Sequence, residues 1–141
     1  MSATTTVAPA INPRRGEVWR VQLDPVRGSE QGKTRPVIVL SEPPLGRATV
    51  RLCAPIMHLN PAHRLFFWCV QLSPEPANGL TKDSSVDAAQ TRALDLVRFQ
   101  MRLGKVTLDE LEAITTALIM CVGRQPAPLS TIPPPVPPAT P

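Results

Sequence analysis

Apolar and polar residues alternate in several short stretches of the chain, which is the period of half-buried β-strands. Residues 17–24 show this alternation first, and Ala48–Ala54 repeats it before Pro55. We predict a strand in each stretch, and we expect Pro55 to end the second one because proline cannot donate a hydrogen bond to a sheet. Pro36–Ser41 is apolar nearly throughout. Such a run is typical of a central strand that is buried on both faces.

The later part of the chain predicts more strands and one helix. Leu65–Leu72 alternates again, and Ser85–Leu94 is interpreted as one or two short strands. Thr107 and Glu110 have the spacing of a capping box, in which each side chain satisfies a free amide of the other residue. Apolar residues then recur at helical spacing, namely Leu108, Leu111, Ile114, Leu118 and Cys121 or Val122. Gly123 is placed to end the helix. The predicted fold class is mainly β with a C-terminal helix (α+β), as a small twisted antiparallel sheet or partly open barrel.

The length of 141 residues predicts a single domain, and the hydrophobic fraction of 43% is typical of a globular protein. We expect residues 1–12 to form a flexible arm, 13–123 the domain, and 124–141 a Pro-rich disordered tail that holds eight of the 18 prolines. No run approaches the ~18 apolar residues that cross a bilayer, and the N-terminus does not resemble a signal peptide. The three cysteines, Cys53, Cys69 and Cys121, lack metal-site spacing and are expected to be buried free thiols in a reducing cytoplasm.

Charge is unevenly distributed along the chain. The formal net charge is +4, and residues 1–64 hold nine Lys or Arg against four Asp or Glu. A basic half favours a polyanionic partner such as nucleic acid, although excess charge also serves solubility. Seven cations are candidates for phosphate contacts: Arg14, Arg27, Lys33, Arg51, Arg64, Lys82 and Arg92. The aromatic residues Trp19 and Phe66 alternate within predicted strands, so we expect them in the core rather than stacked on bases.

The segment Arg27–Pro36 carries the densest group of candidate functional residues. It joins two predicted strands and contains two glycines, three further polar residues, a carboxylate at Glu30 and cations at Arg27, Lys33 and Arg35. Pro36 biases Arg35 towards an extended conformation at the entrance of a strand. Such a junction presents cations and backbone amides to an anion such as phosphate. The alternative interpretation is an ordinary solvated hairpin loop.

Several motifs together resemble the MazF/PemK family of growth-inhibiting toxins. The resemblance covers about residues 13–123 and rests on these segments in family order: Arg15-Gly16-Glu17-Val18-Trp19, Leu23-Asp24-Pro25, Arg27–Pro36, Val50–Pro55, Gly79-Leu80, Lys82-Asp83-Ser84, Gln90-Thr91-Arg92 and Arg102-Leu103-Gly104. It implies a small SH3-like barrel with a C-terminal helix, which works as a homodimer. It also implies a cytoplasmic, metal-independent endoribonuclease that needs no cofactor and cuts single-stranded RNA. The implied protein partner is a MazE-like antitoxin, whose disordered C-terminal segment blocks the RNA groove.

The resemblance assigns roles to individual residues. Arg35 matches the catalytic arginine, which stays protonated and clamps a phosphate rather than acting as a base. Glu30 matches a glutamate near the site, where it orients Arg35 or takes the proton of the ribose 2′-hydroxyl. The remaining candidates for RNA contacts, some of them matches to family positions near the RNA, are Arg27, Lys33, Thr34, Lys82, Gln90 and Arg92.

Two positions depart from the family pattern. Met57 stands where much of the family has a threonine that hydrogen-bonds the phosphate region, and Ala89 stands where some members have an aspartate. A thioether donates no hydrogen bond, so activity is reduced or another residue does this work. His58 is the candidate substitute because imidazole exchanges protons near neutral pH. Alternation along a strand would point Met57 and His58 to opposite faces, so His58 reaches the site only if the chain has already turned there.

These departures leave three functional hypotheses. The first is a sequence-specific endoribonuclease that gives 2′,3′-cyclic phosphate and 5′-hydroxyl ends. The second is a weakly active or inactive protein of the same fold that binds RNA or antitoxin, which the replacements at Met57 and Ala89 would favour. The third, a DNA gyrase inhibitor of similar fold, is disfavoured because the Gly28–Pro36 motif belongs to the ribonuclease branch.

Overall fold

A computed structural model describes residues 11–23, 34–42 and 49–124 of the chain. Within these ranges the elements are β1 (Glu17–Gln22), β2 (Thr34–Val39), β3 (Val50–His58), β4 (Cys69–Leu72), β5 (Ser84–Asp87), β6 (Arg92–Asp95), β7 (Phe99–Lys105) and α1 (Leu108–Cys121). Three short 3₁₀ turns connect some of them, namely Pro61–Leu65, Ala88–Gln90 and Leu96–Arg98.

All paired strands of the described chain are antiparallel and form one open sheet. Its order is β4-β5-β3-β2-β1-β7, with β6 paired to the first half of β3. The long strand β3 therefore lies at the centre and contacts three other strands. The predicted fold class, a mainly antiparallel β sheet with one C-terminal helix, is confirmed.

Alternation along the strands produces two separate hydrophobic cores. One face of the sheet packs with α1 through a cluster that includes Val18, Ile38, Ile56 and Ile114. The other face carries Trp19, Val21, Val37, Val39, Cys53, Leu94 and Phe99. Trp19 packs edge-on against Phe99 with ring centroids 5.7 Å apart, which confirms its predicted place in the core.

The strand β3 continues through Pro55 to His58, so the prediction that Pro55 ends it is wrong. The reason lies in the neighbours of β3. Its outer edge pairs with β6 as far as Cys53 and with β5 from Ile56 onward. Pro55 sits between the two partners, where no ladder hydrogen bond requires its missing N–H.

The predicted strand Leu65–Leu72 is shortened to Cys69–Leu72. Before it, Asn60 and His63 form a capping box around a 3₁₀ turn that begins at Pro61. The turn leaves Phe66 39% exposed, stacked on Trp68 with ring centroids 4.6 Å apart, so its predicted burial is wrong. Ser85–Leu94 does contain two short strands, β5 and β6, as predicted.

Strand β7 is absent from the sequence-based prediction because charged residues and Gly104 obscure its period. Gly104 is required there by close packing. A Cβ atom at this position would overlap the backbone of Ala77 and Asn78. Strand β7 therefore packs closely against the loop before β5, and the Lys105 amide donates to the Ala77 carbonyl at 2.8 Å.

The C-terminal helix begins as predicted. Thr107 Oγ1 accepts from the Glu110 amide at 3.2 Å, and Glu110 Oε1 accepts from the Thr107 amide at 2.9 Å. Its buried face carries Leu111, Ile114 and Ala117, whereas Leu108 is 80% exposed and lies off the apolar face assigned to it. No helix in the described ranges is long and apolar enough to span a membrane.

Arg51 is a structural residue and not the phosphate contact that its charge suggested. Its side chain is 5% exposed, and its guanidinium donates to the Pro13 carbonyl at 2.9 Å and to Asn12 Oδ1 at 3.1 Å. A third bond reaches the Val50 carbonyl at 3.0 Å. A buried charge needs such partners. Arg51 therefore fixes the segment before β1 against β3.

Glu17 joins β1 to β7 and should make stability depend on pH. It accepts from the Arg14 amide and Trp19 Nε1, and its Oε2 lies 2.7 Å from Arg102 Nε. Burial alone would raise the pKa of Glu17, but these partners together lower it from the ordinary value of 4.5. A lowered pKa stabilises the fold above the unfolded-state value, and this contribution is lost as the pH falls through the folded-state value.

We expect urea denaturation to show the wild type losing stability below about pH 4.5 more steeply than Glu17→Gln. At pH 7 the difference should be about 1 kcal/mol or less, since the partner Arg102 is largely exposed. Parallel pH profiles for the two proteins would contradict this role of Glu17.

Candidate active site

A large cavity of about 410 Å³ lies where β2 begins and β3 ends, beside the segment that leads into β5. Three of the predicted site residues, Arg35, His58 and Lys82, line it together. They are separated by up to 47 positions in the sequence, so it is the sheet that brings them to one place. We call this space the large cavity.

The pairing of β2 with β3 places Arg35 next to Met57. The last pair of their ladder is Val37 opposite Pro55. Arg35 stands two residues before Val37, and Met57 stands two residues after Pro55, so the register brings them side by side. Residues two apart on a strand share a face. Arg35 is held on its other side by pairing with Val21 of β1, and it is exposed at the cavity wall.

His58 is the last residue of β3 and pairs with Ser84 of β5. It lines the large cavity although the strand has not yet turned, and Met57 lines it as well. The expectation that only a turn brings His58 to the site is therefore wrong. The cavity lies at the end of the strands, where residues of both faces reach it.

Lys82 lies on a segment held by several hydrogen bonds. Ser84 Oγ donates to the Lys82 carbonyl at 2.8 Å, and the Leu59 amide donates to the Asp83 carbonyl at 3.0 Å. Further back, the buried Asn78 side chain accepts from two backbone amides and donates to the Ser73 carbonyl. The wall that carries Lys82 is thus fixed by the loop as well as by the sheet.

The lining of the large cavity combines cations with apolar surface. Its other residues are Pro36, Ile56, Met57, Leu80, Thr81 and Ser84, and none of the described residues that line it is acidic. Three cationic or protonatable groups around one space favour an anion, and a guanidinium favours phosphate in particular. The apolar wall fits the flat face of a base or sugar.

A second, small cavity of about 60 Å³ holds two further predicted residues, Gln90 and Arg92. It is lined also by Leu23, Val37, Cys53, Pro55 and Leu94. Burial raises the pKa of Cys53 to about 12, against a smaller opposing effect of Arg51. Cys53 is therefore a neutral thiol and not a nucleophile.

The other predicted site residues are not placed in either cavity. Thr34 is exposed at the start of β2 and lines neither one. Arg27, Glu30 and Lys33 lie outside the described residues, so their roles remain predictions. In the described ranges no group of three or more His, Cys, Asp or Glu is arranged to hold a metal ion.

Ser84 and Asp87 are among the residues at the site that escaped the sequence-based prediction. Ser84 lines the large cavity, and Asp87 hydrogen-bonds the side chain of Gln90 at 2.9 Å. Ser84 belongs to the motif after Lys82 but carried no distinguishing charge or spacing. The signal for Asp87 was available, since an aspartate three residues before Gln90 has the spacing of a capped turn.

Comparisons with known proteins bear on the family and the fold of the chain. The family model described as PemK-like, MazF-like toxin of type II toxin–antitoxin system matches residues 14–122. Endoribonuclease MazF9 of Mycobacterium tuberculosis is 33% identical over 109 residues, which are 74% of this chain and 92% of that protein. The MazE–MazF crystal structure (Form-II) from Deinococcus radiodurans is similar with a TM-score of 0.66 and 25% identity, covering 80% of this chain and 97% of that chain. The Mycobacterium tuberculosis toxin MazF-mt6, at a TM-score of 0.59 and 20% identity over 76% of this chain and 96% of its own, shares the fold.

Proposed function

Because the chain belongs to the PemK-like, MazF-like family of toxins of type II toxin–antitoxin systems, we propose that it is an endoribonuclease that cleaves single-stranded mRNA and inhibits growth. The observation that carries this proposal is the large cavity, in which Arg35, His58 and Lys82 surround one space. Cleavage occurs at short sequences, without a metal ion, and leaves 2′,3′-cyclic phosphate and 5′-hydroxyl ends.

Three residues of the large cavity, together with Glu30, divide the reaction between them. The ribose 2′-oxygen attacks the adjacent phosphorus, its proton leaves to a base, and the 5′-oxygen departs with a proton from an acid. Arg35 clamps the phosphate and stabilises the charge that develops on it. Lys82 holds the phosphate as a point charge. His58 transfers a proton, and Glu30 orients Arg35 or receives the 2′-proton.

Met57 lowers the activity relative to a site with a threonine at that position. Met57 lines the large cavity. It stands two residues after Pro55, the last residue of β3 that pairs with β2, and the register places it opposite Arg35. A thioether there provides apolar contact but no hydrogen bond for the phosphate. His58, the next residue, is the group that compensates.

Replacing His58 with glutamine should lower the cleavage rate by about ten- to a hundredfold, because glutamine keeps a hydrogen bond but transfers no proton. Single-turnover cleavage rates of a short labelled RNA provide the measurement.

The double variant His58→Gln and Met57→Thr is the matched comparison. We expect it to recover part of the lost rate, since the threonine hydroxyl restores a hydrogen bond beside Arg35. A His58→Gln variant that cuts at the wild-type rate would remove His58 from the mechanism.

The proposed function is tested with purified protein and a long single-stranded RNA in EDTA. Cleavage with cyclic phosphate ends is the expected result, and sequencing the 5′ ends of the fragments gives the recognised sequence. Intact RNA that still co-migrates with the protein would instead support the second candidate, an RNA- or antitoxin-binding protein with little catalysis. The observation in favour of that candidate is Met57 in the wall of the large cavity.

The family also suggests partners and a location. We propose that the protein acts as a homodimer in the cytoplasm and that a MazE-like antitoxin inhibits it through a disordered C-terminal segment. A MazE–MazF structure from Deinococcus radiodurans, 25% identical to this chain, supports the antitoxin. We propose a toxin domain over residues 13–123, extended at its start by Asn12, which bonds Arg51, with the arm before it and the Pro-rich tail 124–141 after it. Light scattering tests the dimer, and co-purification with the antitoxin tests the complex.

A further inference from the structure

A buried carboxylate fixes the orientation of the Gln90 side chain at the small cavity. Asp87 is 7% exposed and precedes the 3₁₀ turn Ala88–Gln90. Its Oδ1 accepts from the Ala89 amide at 3.0 Å, and its Oδ2 accepts from Gln90 Nε2 at 2.9 Å. Gln90 itself is exposed. The turn brings residues three apart onto one side, which is why Asp87 reaches Gln90.

The chemistry of the two groups decides which end of the Gln90 amide faces outward. An ionised carboxylate only accepts hydrogen bonds, so the amide nitrogen of Gln90 must face Asp87. The carbonyl oxygen Oε1 then faces away from the carboxylate. One N–H of Gln90 is thereby engaged and Oε1 is fixed on the opposite end as an acceptor, whereas an unrestrained glutamine offers either end of the amide in one place.

The small cavity lies next to Arg35 along strands β2 and β3, so a base that entered it would belong to a nucleotide beside the bound phosphate. Val37 and Pro55 line the small cavity with Gln90, and Arg35 and Met57 stand two residues further along the same strands, on the same face. Two residues of a strand span about 7 Å. The small cavity holds about 60 Å³, which is room for the edge of a base and its exocyclic group but not for a whole ring.

We propose that Asp87 is a positioning residue that makes Gln90 select a base with an exocyclic amino group next to the cleaved phosphate. Adenine, cytosine and guanine carry such a donor, and uracil presents carbonyl oxygens in its place. This inference rests on the proposed function in that RNA is the ligand. Asp87 also supplies a carboxylate near the position where Ala89 departs from the family pattern.

The test uses oligonucleotides that cannot be cleaved, so that its outcome does not depend on catalysis. Binding of 2′-O-methyl oligo-A, oligo-C and oligo-U is measured by fluorescence anisotropy. We expect the wild type to bind the A or C oligomer about tenfold more tightly than U, as one well-placed hydrogen bond provides. Asp87→Asn should reduce this preference to about threefold or less, because an asparagine can donate as well as accept and lets the Gln90 amide turn over.

Asp87→Asn keeps the turn intact, since asparagine caps a turn as well as aspartate. The matched control is Asp95→Asn. Asp95 caps the turn Leu96–Arg98 through the Val97 amide in the same way and bonds Thr49 rather than a cavity residue. It should leave the base preference unchanged. Gln90→Ala should abolish the preference, and adding Asp87→Asn to it should change nothing further.

The outcomes separate this inference from the proposed function. A wild type without base preference, or a preference that Asp87→Asn leaves intact, overturns the role of Asp87 whether or not RNA is cut. A preference that depends on Asp87 in a protein that cuts no RNA would uphold the inference and refute the proposed cleavage. If the protein does cut RNA, the same variants should relax the base requirement at one position beside the cut.

Discussion

Replacing Arg35 with alanine will lower the rate of RNA cleavage by about a hundred- to a thousandfold and leave the protein folded. The guanidinium is exposed at the wall of the large cavity, where it offers two parallel donors to a phosphate. Its removal takes stabilisation from the transition state, because negative charge on the phosphate oxygens grows there. Single-turnover cleavage of a short RNA measures the loss, and circular dichroism shows that the fold persists.

Two further variants show whether geometry or charge is responsible. Arg35→Lys keeps the positive charge but not the bidentate fork, and we expect it to recover only a small part of the rate. Arg124→Ala removes one positive charge beyond the end of α1, far along the chain from the cavity, and should cut like the wild type. Equal rates for Arg35→Ala and the wild type would rule out the proposed mechanism.

Gly79→Ala will destabilise the protein by about 3 kcal/mol or more and impair cleavage as well. Gly79 has φ of +70°, and an added Cβ would overlap the carbonyl group of Leu103 in β7. The backbone must move to relieve this overlap. Because hydrogen bonds tie Asn78 to Ser73 and Leu80 to Asn78, the movement extends to both sides of Gly79. That movement displaces Leu80, Thr81 and Lys82 from the wall of the large cavity.

Gly123→Ala separates the two causes of this effect. Gly123 also has positive φ, at +82°, but an added Cβ would meet nothing within 4 Å. We expect a cost of about 1 kcal/mol there, from backbone conformation alone, with no change in cleavage. Urea denaturation of both variants gives the comparison. A Gly79→Ala protein as stable as Gly123→Ala would show that β7 yields to the added atom.

The sequence predicts those elements whose signals are local. The capping box of α1 involves residues three apart, and the alternation in β1 arises within one strand, so both are visible in a short window. The sequence wrongly predicts that Pro55 ends β3. A proline is tolerated inside this strand because β3 changes its partner there from β6 to β5, which a short window of sequence does not show. Strand β7 is not predicted because Gly104 interrupts its pattern. The reason for that glycine is the close approach of a loop that is distant in sequence, at Ala77 and Asn78.

The same distinction applies to the site. Arg35 and Lys82 stand in motifs that can be recognised from residue types, and the structure places both in the large cavity. Charge alone gave the wrong role for Arg51, because its partners at residues 12 and 13 lie far away in the chain. The entry of both Met57 and His58 into one cavity depends on where β3 ends. Alternation within a strand does not contain that information.

The hydrogen bonds of Arg51 have a practical consequence for any shortened form of this protein. The family match begins at residue 14, yet the acceptors of the buried guanidinium belong to Asn12 and Pro13. A version that starts at residue 14 would leave a buried positive charge short of partners, at a cost of several kcal/mol. The physical edge of the domain therefore precedes the edge of its sequence similarity. Residue 11 or earlier is the place to attach a tag or to begin expression.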